Sequence, residues 1–107
     1  MNSLSSHVLD TTLGKPAKGL RITLFSPDGE QVEAVTNDDG RCNDWGTLSI
    51  GAGTYRLRFH CKEYLVAQHG ESFYPFVDIS FEVDSSGQHY HVPLLVTPFS
   101  YSTYRGS

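Results

Sequence analysis

The strongest constraint on the fold is the strict alternation of apolar and polar residues in VDISFEV, residues 77–83. Successive side chains of a β-strand point to opposite faces, so this alternation predicts a strand with one buried and one solvent-exposed face. Residues 54–61, TYRLRFHC, repeat the pattern. The stretches LRITLFS and QVEAVTN flank SPDG, whose Pro and Asp-Gly pair favours a turn, and we expect them to form a hairpin.

The rest of the chain predicts further short strands and one helix. QHYHVPLLV reads as a strand in which Pro93 indicates an edge or a bulge, since proline removes a ladder donor. Pro98 separates it from a last strand, FSYSTYRGS. KEYLVAQHG predicts a short helix that ends at Gly70. We therefore predict one domain over residues 1–107, a mainly β sandwich of seven to eight strands with one short helix.

Composition argues against several classes of partner. The formal charge is -4 and the eight lysines and arginines are scattered, so no basic stripe suggests nucleic-acid binding. No apolar run approaches the roughly 20 residues that span a bilayer. The N-terminal MNSLSSHVLD has no secretory signal pattern, so we expect a cytoplasmic protein, or a periplasmic one if a leader was removed. Cys42 and Cys61 are expected to be unpaired thiols.

Three histidines are candidates for chemistry. His7 lies in a predicted N-terminal strand on the same side as Ser5 and Leu9, although a lone strand histidine is usually structural. His89 and His91 are two residues apart and therefore share a strand face. They could bind zinc, but zinc sites usually need three or four protein ligands. We expect instead that one of the two faces a pocket.

The loop TNDDG and the end of the chain supply further polar candidates. Arg41 follows the loop and is either an ordinary solvated arginine or a guanidinium that grips a planar anionic ligand. If the last strand lies beside QHYHVPLLV, then His91, Arg105 and Ser107 could approach one cavity. In that arrangement strand pairing would hold the C-terminus in place.

Four stretches that together cover practically the whole chain carry a resemblance to a known family: LSSHVLDTTLGKPAKGL, TNDDGR, FYPFVDISFEV and YHVPLLVTPFSYSTYRGS. They resemble the 5-hydroxyisourate hydrolases, also called transthyretin-like proteins. The terminal Tyr-Arg-Gly-Ser is the most specific part, because thyroid-hormone-carrying transthyretin shares the fold but lacks this ending.

The resemblance implies hydrolysis of 5-hydroxyisourate, a product of urate oxidation, to 2-oxo-4-hydroxy-4-carboxy-5-ureidoimidazoline, without a metal or organic cofactor. It also implies a homotetramer, a dimer of dimers, with active sites in the channel between dimers. The residues that it places in the site are the catalytic His7, Arg41, His91 and Ser107 and the substrate-binding Tyr104 and Arg105.

Roles within this implied site follow from side-chain chemistry. His7 and His91 would activate water and transfer protons, since imidazole titrates near neutral pH, but the sequence does not say which is the base. Arg41, helped by Arg105, would hold the planar substrate and stabilise the oxyanion. Ser107 would orient water or substrate, or act as a nucleophile.

Two other functions fit a β-sandwich. One is a transthyretin-like tetramer whose channel binds a small aromatic ligand without converting it; such a channel should be mostly apolar, and the histidines and arginine argue against it. The other is a cell-surface adhesion or interaction domain, which the strand pattern permits because fold does not fix function.

Overall fold

The computed structural model describes residues 2–106, which form two β-sheets packed face to face and one helix. This confirms the predicted mainly β sandwich with a short helix. Seven of its strands have three or more residues and two have only two. The elements are β1 Ser3–Asp10, β2 Lys15–Pro16, β3 Arg21–Phe25, β4 Gln31–Val35, β5 Arg41–Cys42, β6 Gly53–Phe59, α1 Cys61–His69, β7 Val77–Val83, β8 His89–Val96 and β9 Tyr101–Thr103.

The two sheets differ in how their strands pair. The four-stranded sheet has the order β4-β3-β6-β7 and is antiparallel throughout, and the predicted hairpin is its β3–β4 pair. The five-stranded sheet has the order β2-β1-β8-β9, with β5 also paired to β1. Within it β1 and β8 run parallel over their whole lengths, so the two ends of the chain meet at the middle of one sheet.

The core lies between the sheets and follows from the alternation in the sequence. In β6, Tyr55, Leu57 and Phe59 are buried while the arginines between them are partly exposed. In β1 the residues from Leu4 to Asp10 at even positions are buried. Each fully buried large apolar side chain contributes about 1.5–3 kcal/mol relative to leaving it exposed. Those with the least exposure include Val8, Ile22, Leu24, Leu57, Phe59 and Leu94.

Helix α1 ends at Gly70, as the sequence predicts. Gly70 adopts a left-handed conformation with φ 80°, and its N–H donates to the carbonyl of Val66. A left-handed residue is easiest for glycine, which has no Cβ to clash. Among residues 2–106, no helix is long and apolar enough to cross a membrane.

A buried carboxylate ties this helix to the end of β1. Asp10 is fully buried, and its Oδ2 accepts hydrogen bonds from Nε2 of His69 at 2.8 Å and from the hydroxyl of Tyr64 at 3.0 Å. Its Oδ1 accepts the N–H groups of Thr12 and Leu13. Burial alone would raise the pKa of Asp10, but these hydrogen bonds, from His69 above all, leave it below its ordinary value. Burial and the adjacent carboxylate raise the pKa of Tyr64 to about 12.

The last strand is shorter than predicted. We expected a strand over the whole of FSYSTYRGS, whereas β9 ends at Thr103. It pairs with β8 from Leu94 to Val96, and the next residue of β8 towards its start is Pro93, which has no N–H to donate. Pro93 therefore ends this ladder although it lies inside β8, and the carbonyl of Pro93 accepts the Thr103 hydroxyl instead.

Replacing Asp10 by alanine is expected to destabilise the fold by about 3–5 kcal/mol, since it leaves buried donors of Tyr64 and His69 without an acceptor. Urea unfolding at pH 7 and fixed protein concentration measures this loss. The pKa of Asp10 is depressed in the folded protein, so its contribution is present above pH 3.8 and is lost as pH falls through the folded pKa. Asp28→Ala, in the exposed SPDG turn, is the control and should change stability by less than about 0.5 kcal/mol.

Candidate functional site

The face of the five-stranded sheet that points away from the core carries the polar candidates, and we call it the outer face. The odd-numbered residues of β1 from Ser3 to Leu9 lie on it, and so do His89 and His91 of β8. The parallel register places Ser5 opposite His91. Even-numbered neighbours such as Ser6 are buried on the other side. The predicted shared face of His89 and His91 is thus confirmed.

Strand pairing brings three of the predicted site residues together. His7 lies directly opposite Arg41 in the β1–β5 pair. His91 lies on the other side of β1, beside Ser5, and is one diagonal step from His7, about 8 Å between Cα atoms at ordinary strand spacing. Two imidazoles and a guanidinium therefore occupy adjacent strands of one surface.

A tight turn before β5 presents Arg41. Oδ1 of Asn37 accepts hydrogen bonds from the backbone N–H groups of Asp39 at 2.9 Å and Arg41 at 3.0 Å. Gly40 has φ 72°, and a Cβ there would lie 2.5 Å from the carbonyl oxygen of Val8. Only glycine combines this conformation with this close approach. The sequence TNDDGR is therefore a rigid support for the guanidinium, although the Arg41 side chain itself is exposed.

The same turn fixes the tautomer of His7. Nε2 of His7 lies 2.9 Å from the backbone carbonyl oxygen of Asp39. A carbonyl oxygen only accepts hydrogen bonds, so Nε2 must carry the hydrogen. In neutral His7 the lone pair then lies on Nδ1, which makes no hydrogen bond to residues 2–106. His7 therefore offers Nδ1 as an acceptor.

His91 is held through its other nitrogen. Nδ1 of His91 lies 2.7 Å from the hydroxyl of Ser5, and that hydroxyl lies 2.9 Å from Nε2 of His89. Burial is the main reason that the pKa of His91 lies below its ordinary value. Nearby groups that carry or can acquire positive charge lower this pKa further, in the order Arg41, His7, His89. His91 is therefore mainly neutral at pH 7.

The C-terminal segment passes against the His91 ring. Backbone N–H of Gly106 donates to the carbonyl of His91 at 2.8 Å, which supports the expectation that pairing holds this segment. A Cβ at Gly106 would lie 2.3 Å from Cδ2 and 3.0 Å from Cγ of His91. A distance of 2.3 Å between a Cβ and another heavy atom is shorter than proteins allow. Glycine is thus needed where the chain crosses the imidazole. Ser107 lies outside the described residues, and its catalytic role stays a prediction.

Arg105 contacts residues at the start of β8 rather than Arg41. The guanidinium of Arg105 donates to Oε1 of Gln88 at 2.8 Å and stacks on the ring of Tyr90, 4.7 Å from its centroid. Tyr90 is buried on the core side of β8, so Arg105 lies on that side rather than beside Arg41. The prediction that Arg105 helps Arg41 to hold the substrate finds no support in this conformation of a single chain, and the binding roles of Tyr104 and Arg105 stay predictions.

Two cavities include four of the predicted site residues, and His7 lines neither of them. One, of about 320 Å³, has mostly polar residues in its wall, among them Arg41, Ser5 and His89. The other, of about 370 Å³, is mostly apolar and includes His91 with Tyr104 and Arg105. His91 and Arg105 line one cavity, as expected, whereas Ser107, the third residue expected there, lies outside the described residues. Arg41 lines the neighbouring cavity. Within residues 2–106, no three side chains of the types that bind metals cluster closely enough to hold an ion.

Sequence reasoning missed supporting residues of this face. Ser5 was placed on the same side as His7, but no pattern shows which strand lies beside β1. His89 was expected to be merely exposed if His91 faced the pocket, whereas both contact Ser5. Asn37 carries a local signal that could have been used, because asparagine at this spacing before glycine often caps a turn with its side chain.

Comparisons with known proteins show which family this sequence and this fold resemble. The model of the HIUase/Transthyretin family matches residues 4–106. A 5-hydroxyisourate hydrolase of Deinococcus radiodurans is 46% identical, over 97% of this chain and 95% of that protein. The structure of Klebsiella pneumoniae 5-hydroxyisourate hydrolase is 37% identical, with a TM-score of 0.87 and all of both chains covered. A sea bream transthyretin solved with thyroxine is 29% identical, with a TM-score of 0.86 and coverage of 97% and 94%.

Gly106→Ala is expected to displace the His91 imidazole, because the added methyl group overlaps the ring. We expect turnover to fall by about tenfold to a hundredfold while the fold is kept, as a misplacement near 1 Å can cost this much. Gly51→Ala is the control, since a Cβ there meets nothing within 4 Å and the backbone is unstrained. Equal turnover of Gly106→Ala and the unmodified protein would contradict the close contact.

The pKa of His91, read from its imidazole signals in an NMR titration, is expected to lie below 6.5, so that the neutral form persists to lower pH. Arg41→Gln should raise this pKa, since it removes the strongest charged contribution after burial. Arg56→Gln, on the other sheet, is the matched control. A titration of His91 that is the same in Arg41→Gln and in the unmodified protein would show that Arg41 does not act on this ring.

Proposed function

We propose that this chain, which belongs to the HIUase/transthyretin family, hydrolyses 5-hydroxyisourate to 2-oxo-4-hydroxy-4-carboxy-5-ureidoimidazoline in the degradation of urate. The observation that carries the proposal is the position of His7, Arg41 and His91 on adjacent strands of one face. These are the groups that hydrolysis of a cyclic amide requires: acceptors for a proton of water and a cation for the oxyanion.

His91 is the better candidate for the base. Its lowered pKa keeps the imidazole neutral at pH 7, and a base must be neutral to accept a proton. Nε2 of His91 makes no hydrogen bond to residues 2–106 and is thus available. Nε2 takes a proton from water while the oxygen bonds to a ring carbonyl carbon. When the carbon–nitrogen bond of the amide breaks, Nε2 returns this proton to the leaving nitrogen, and the new carboxylic acid then ionises.

His7 and Arg41 position the other reacting groups. Nδ1 of neutral His7 has only a lone pair, so it accepts a hydrogen bond from the attacking water and orients it. Arg41 presents a positively charged, planar donor group to the oxyanion and to the edge of the flat substrate. Because one turn supports both residues, the water and the oxyanion are aligned by the same segment of chain.

The C-terminal residues belong to the proposal as the boundary of the site. Gly106 contacts the His91 ring, so Ser107 follows directly on a residue that touches the base. We assign Ser107 to orienting substrate or water, and Tyr104 and Arg105 to the wall of the cavity that they share with His91. The roles of His7, Arg41 and His91 do not require Arg105 to leave its contacts with Gln88 and Tyr90.

We also propose a homotetramer, a dimer of dimers, in the cytoplasm. Among the described residues, β7 and β9 are each paired on one side only, and exposed aromatic side chains lie near these edges. Phe73 and Phe99 are 72% and 62% exposed, and contiguous exposed apolar surface commonly marks an interface. A second copy of the chain, with the same edges and the same aromatics, is the proposed partner.

A spectrophotometric assay with freshly generated 5-hydroxyisourate tests the function. We expect the protein to accelerate the decay of the substrate, and we expect His91→Asn and His7→Asn to lower turnover by about 10²-fold or more, which is typical for loss of a proton-transfer group. The turnover of Arg41→Gln should fall by a similar factor, because the oxyanion loses the cation that stabilises it. His60→Asn, next to Thr23 on the other sheet, is the histidine control and should keep its turnover.

Decay no faster than the uncatalysed background, in a folded protein, would overturn the enzymatic function. If such a protein bound the substrate tightly without converting it, the carrier function would replace it. The mass of the same preparations in solution tests the assembly, and a monomer at assay concentration would contradict the tetramer. Loss of both turnover and assembly in His91→Asn would assign this residue to packing instead of proton transfer.

A further inference from the structure

Ser5 lies at the centre of a chain of polar groups that connects the two histidines of β8. Its hydroxyl lies 2.7 Å from Nδ1 of His91 and 2.9 Å from Nε2 of His89, and the Ser3 hydroxyl contacts Nδ1 of His89 at 2.5 Å. We propose that Ser5 and His89 are positioning residues that decide which ring nitrogen of His91 carries the hydrogen and thereby make Nε2 the acceptor. This inference rests on the proposed hydrolysis of 5-hydroxyisourate.

The Ser5 hydroxyl has one hydrogen but contacts two imidazole nitrogens, so it cannot donate to both rings. Two arrangements use this hydrogen between the rings, with Ser5 donating to one ring and accepting from the other. In the first arrangement Nδ1–H of His91 donates to Ser5, and Ser5 donates to Nε2 of His89. In the second arrangement both directions are reversed. The first leaves a lone pair on Nε2 of His91, and the second leaves a hydrogen there.

Strand pairing fixes the positions of the residues in this series of hydrogen bonds. Parallel pairing sets Ser5 opposite His91 and Ser3 opposite His89. These two rungs of one ladder are separated by one rung, so their side chains lie on the same face of the sheet. The Ser5 hydroxyl contacts the His91 ring at Nδ1, and the backbone of Gly106 passes its Cδ2 edge. These two contacts, at different edges of the ring, oppose a rotation of the imidazole that would exchange its nitrogens.

The charges around His91 explain why its tautomer matters more than its protonation. Arg41 of β5, His7 of β1 and His89 of β8 all disfavour a second proton on this ring. Arg105 lines the same cavity as His91 and adds positive charge from the C-terminal segment. A ring that is neutral before the reaction can act as a base at Nε2 only if its one hydrogen is on Nδ1.

The first arrangement is compatible with the whole reaction. Nε2 of His91 accepts the proton of the attacking water, and the ring becomes an imidazolium whose Nδ1–H still donates to Ser5. Nε2 then gives this proton to the leaving nitrogen, and the ring returns to its starting tautomer. The Ser5 hydroxyl transfers no proton and stabilises the imidazolium as an acceptor. His89 accepts the hydrogen of Ser5 and so keeps the Ser5 lone pair directed at His91.

Nitrogen-15 NMR of histidine-labelled protein tests the tautomer without any assay of activity. The expected result at pH 7 is a His91 ring with hydrogen on Nδ1 and a bare Nε2. In Ser5→Ala this preference should be lost, and in Ser5→Thr, which keeps a hydroxyl, it should be restored. A His91 ring with hydrogen on Nε2 in the unmodified protein would overturn the inference, even if the protein hydrolyses the substrate.

Kinetics of the same variants separate positioning from substrate contact. We expect Ser5→Ala to lower kcat about tenfold or more with KM changed less than about twofold, because only proton transfer is impaired. Ser5→Thr should recover most of kcat, and Ser80→Ala, an exposed serine of β7, is the matched control. A raised KM with unchanged kcat, or an unchanged kcat in Ser5→Ala, would overturn the positioning role. Absence of hydrolysis by the unmodified protein would instead overturn the proposed function, while the NMR result would still stand.

Discussion

The parallel pairing of β1 with β8 is the contact on which the rest of the site depends. It joins residues near the two ends of the chain along eight consecutive rungs, from Ser3 with His89 to Asp10 with Val96. A slip of one residue would turn every side chain of β1 to the opposite face. His7 and Ser5 would then lie in the core, and Val8 would lie on the outer face. The apolar residues of both strands therefore fix the positions of the polar ones.

The same pairing separates the stabilising residues from the reacting ones. Even positions of β1 are buried and end at Asp10, whose carboxylate anchors α1 through Tyr64 and His69. Odd positions carry the hydroxyl and the imidazole of the proposed site. Each histidine of this site has one nitrogen occupied by a supporting group and one left for the reaction: a backbone carbonyl supports His7 and the Ser5 hydroxyl supports His91. Local backbone structure thus determines the chemistry of both rings.

Much of this architecture could be predicted from the sequence, because local patterns determine it. Alternation predicted β6 and β7, Gly70 predicted the end of α1, and the SPDG turn predicted the β3–β4 hairpin. Resemblance to a family supplied the fold, the activity and the candidate residues, and the comparisons confirm the fold and the activity. Strand alternation also predicted correctly that His89 and His91 share a face.

What the sequence did not predict depends on contacts between distant segments. Alternation does not say which strand lies beside β1, so the link from Ser5 to both histidines of β8 was missed. The final strand was predicted too long because its end depends on the neighbouring strand. Pro93 of β8 has no N–H to donate to β9, and the sequence of β9 itself does not show this. The contacts of the Arg105 guanidinium with Gln88 and Tyr90 likewise join separate segments, and no local pattern predicts them.

The central claim is that one flat substrate binds across the outer face, in contact with both Arg41 and His91. A crystal structure of the assembled protein with a non-hydrolysable planar analogue of 5-hydroxyisourate tests it most directly. The account predicts that the analogue contacts the Arg41 guanidinium and lies within hydrogen-bond distance of Nε2 of His91. An analogue bound only in the apolar cavity between Ile79 and Arg105, with Arg41 in solvent, would contradict the account.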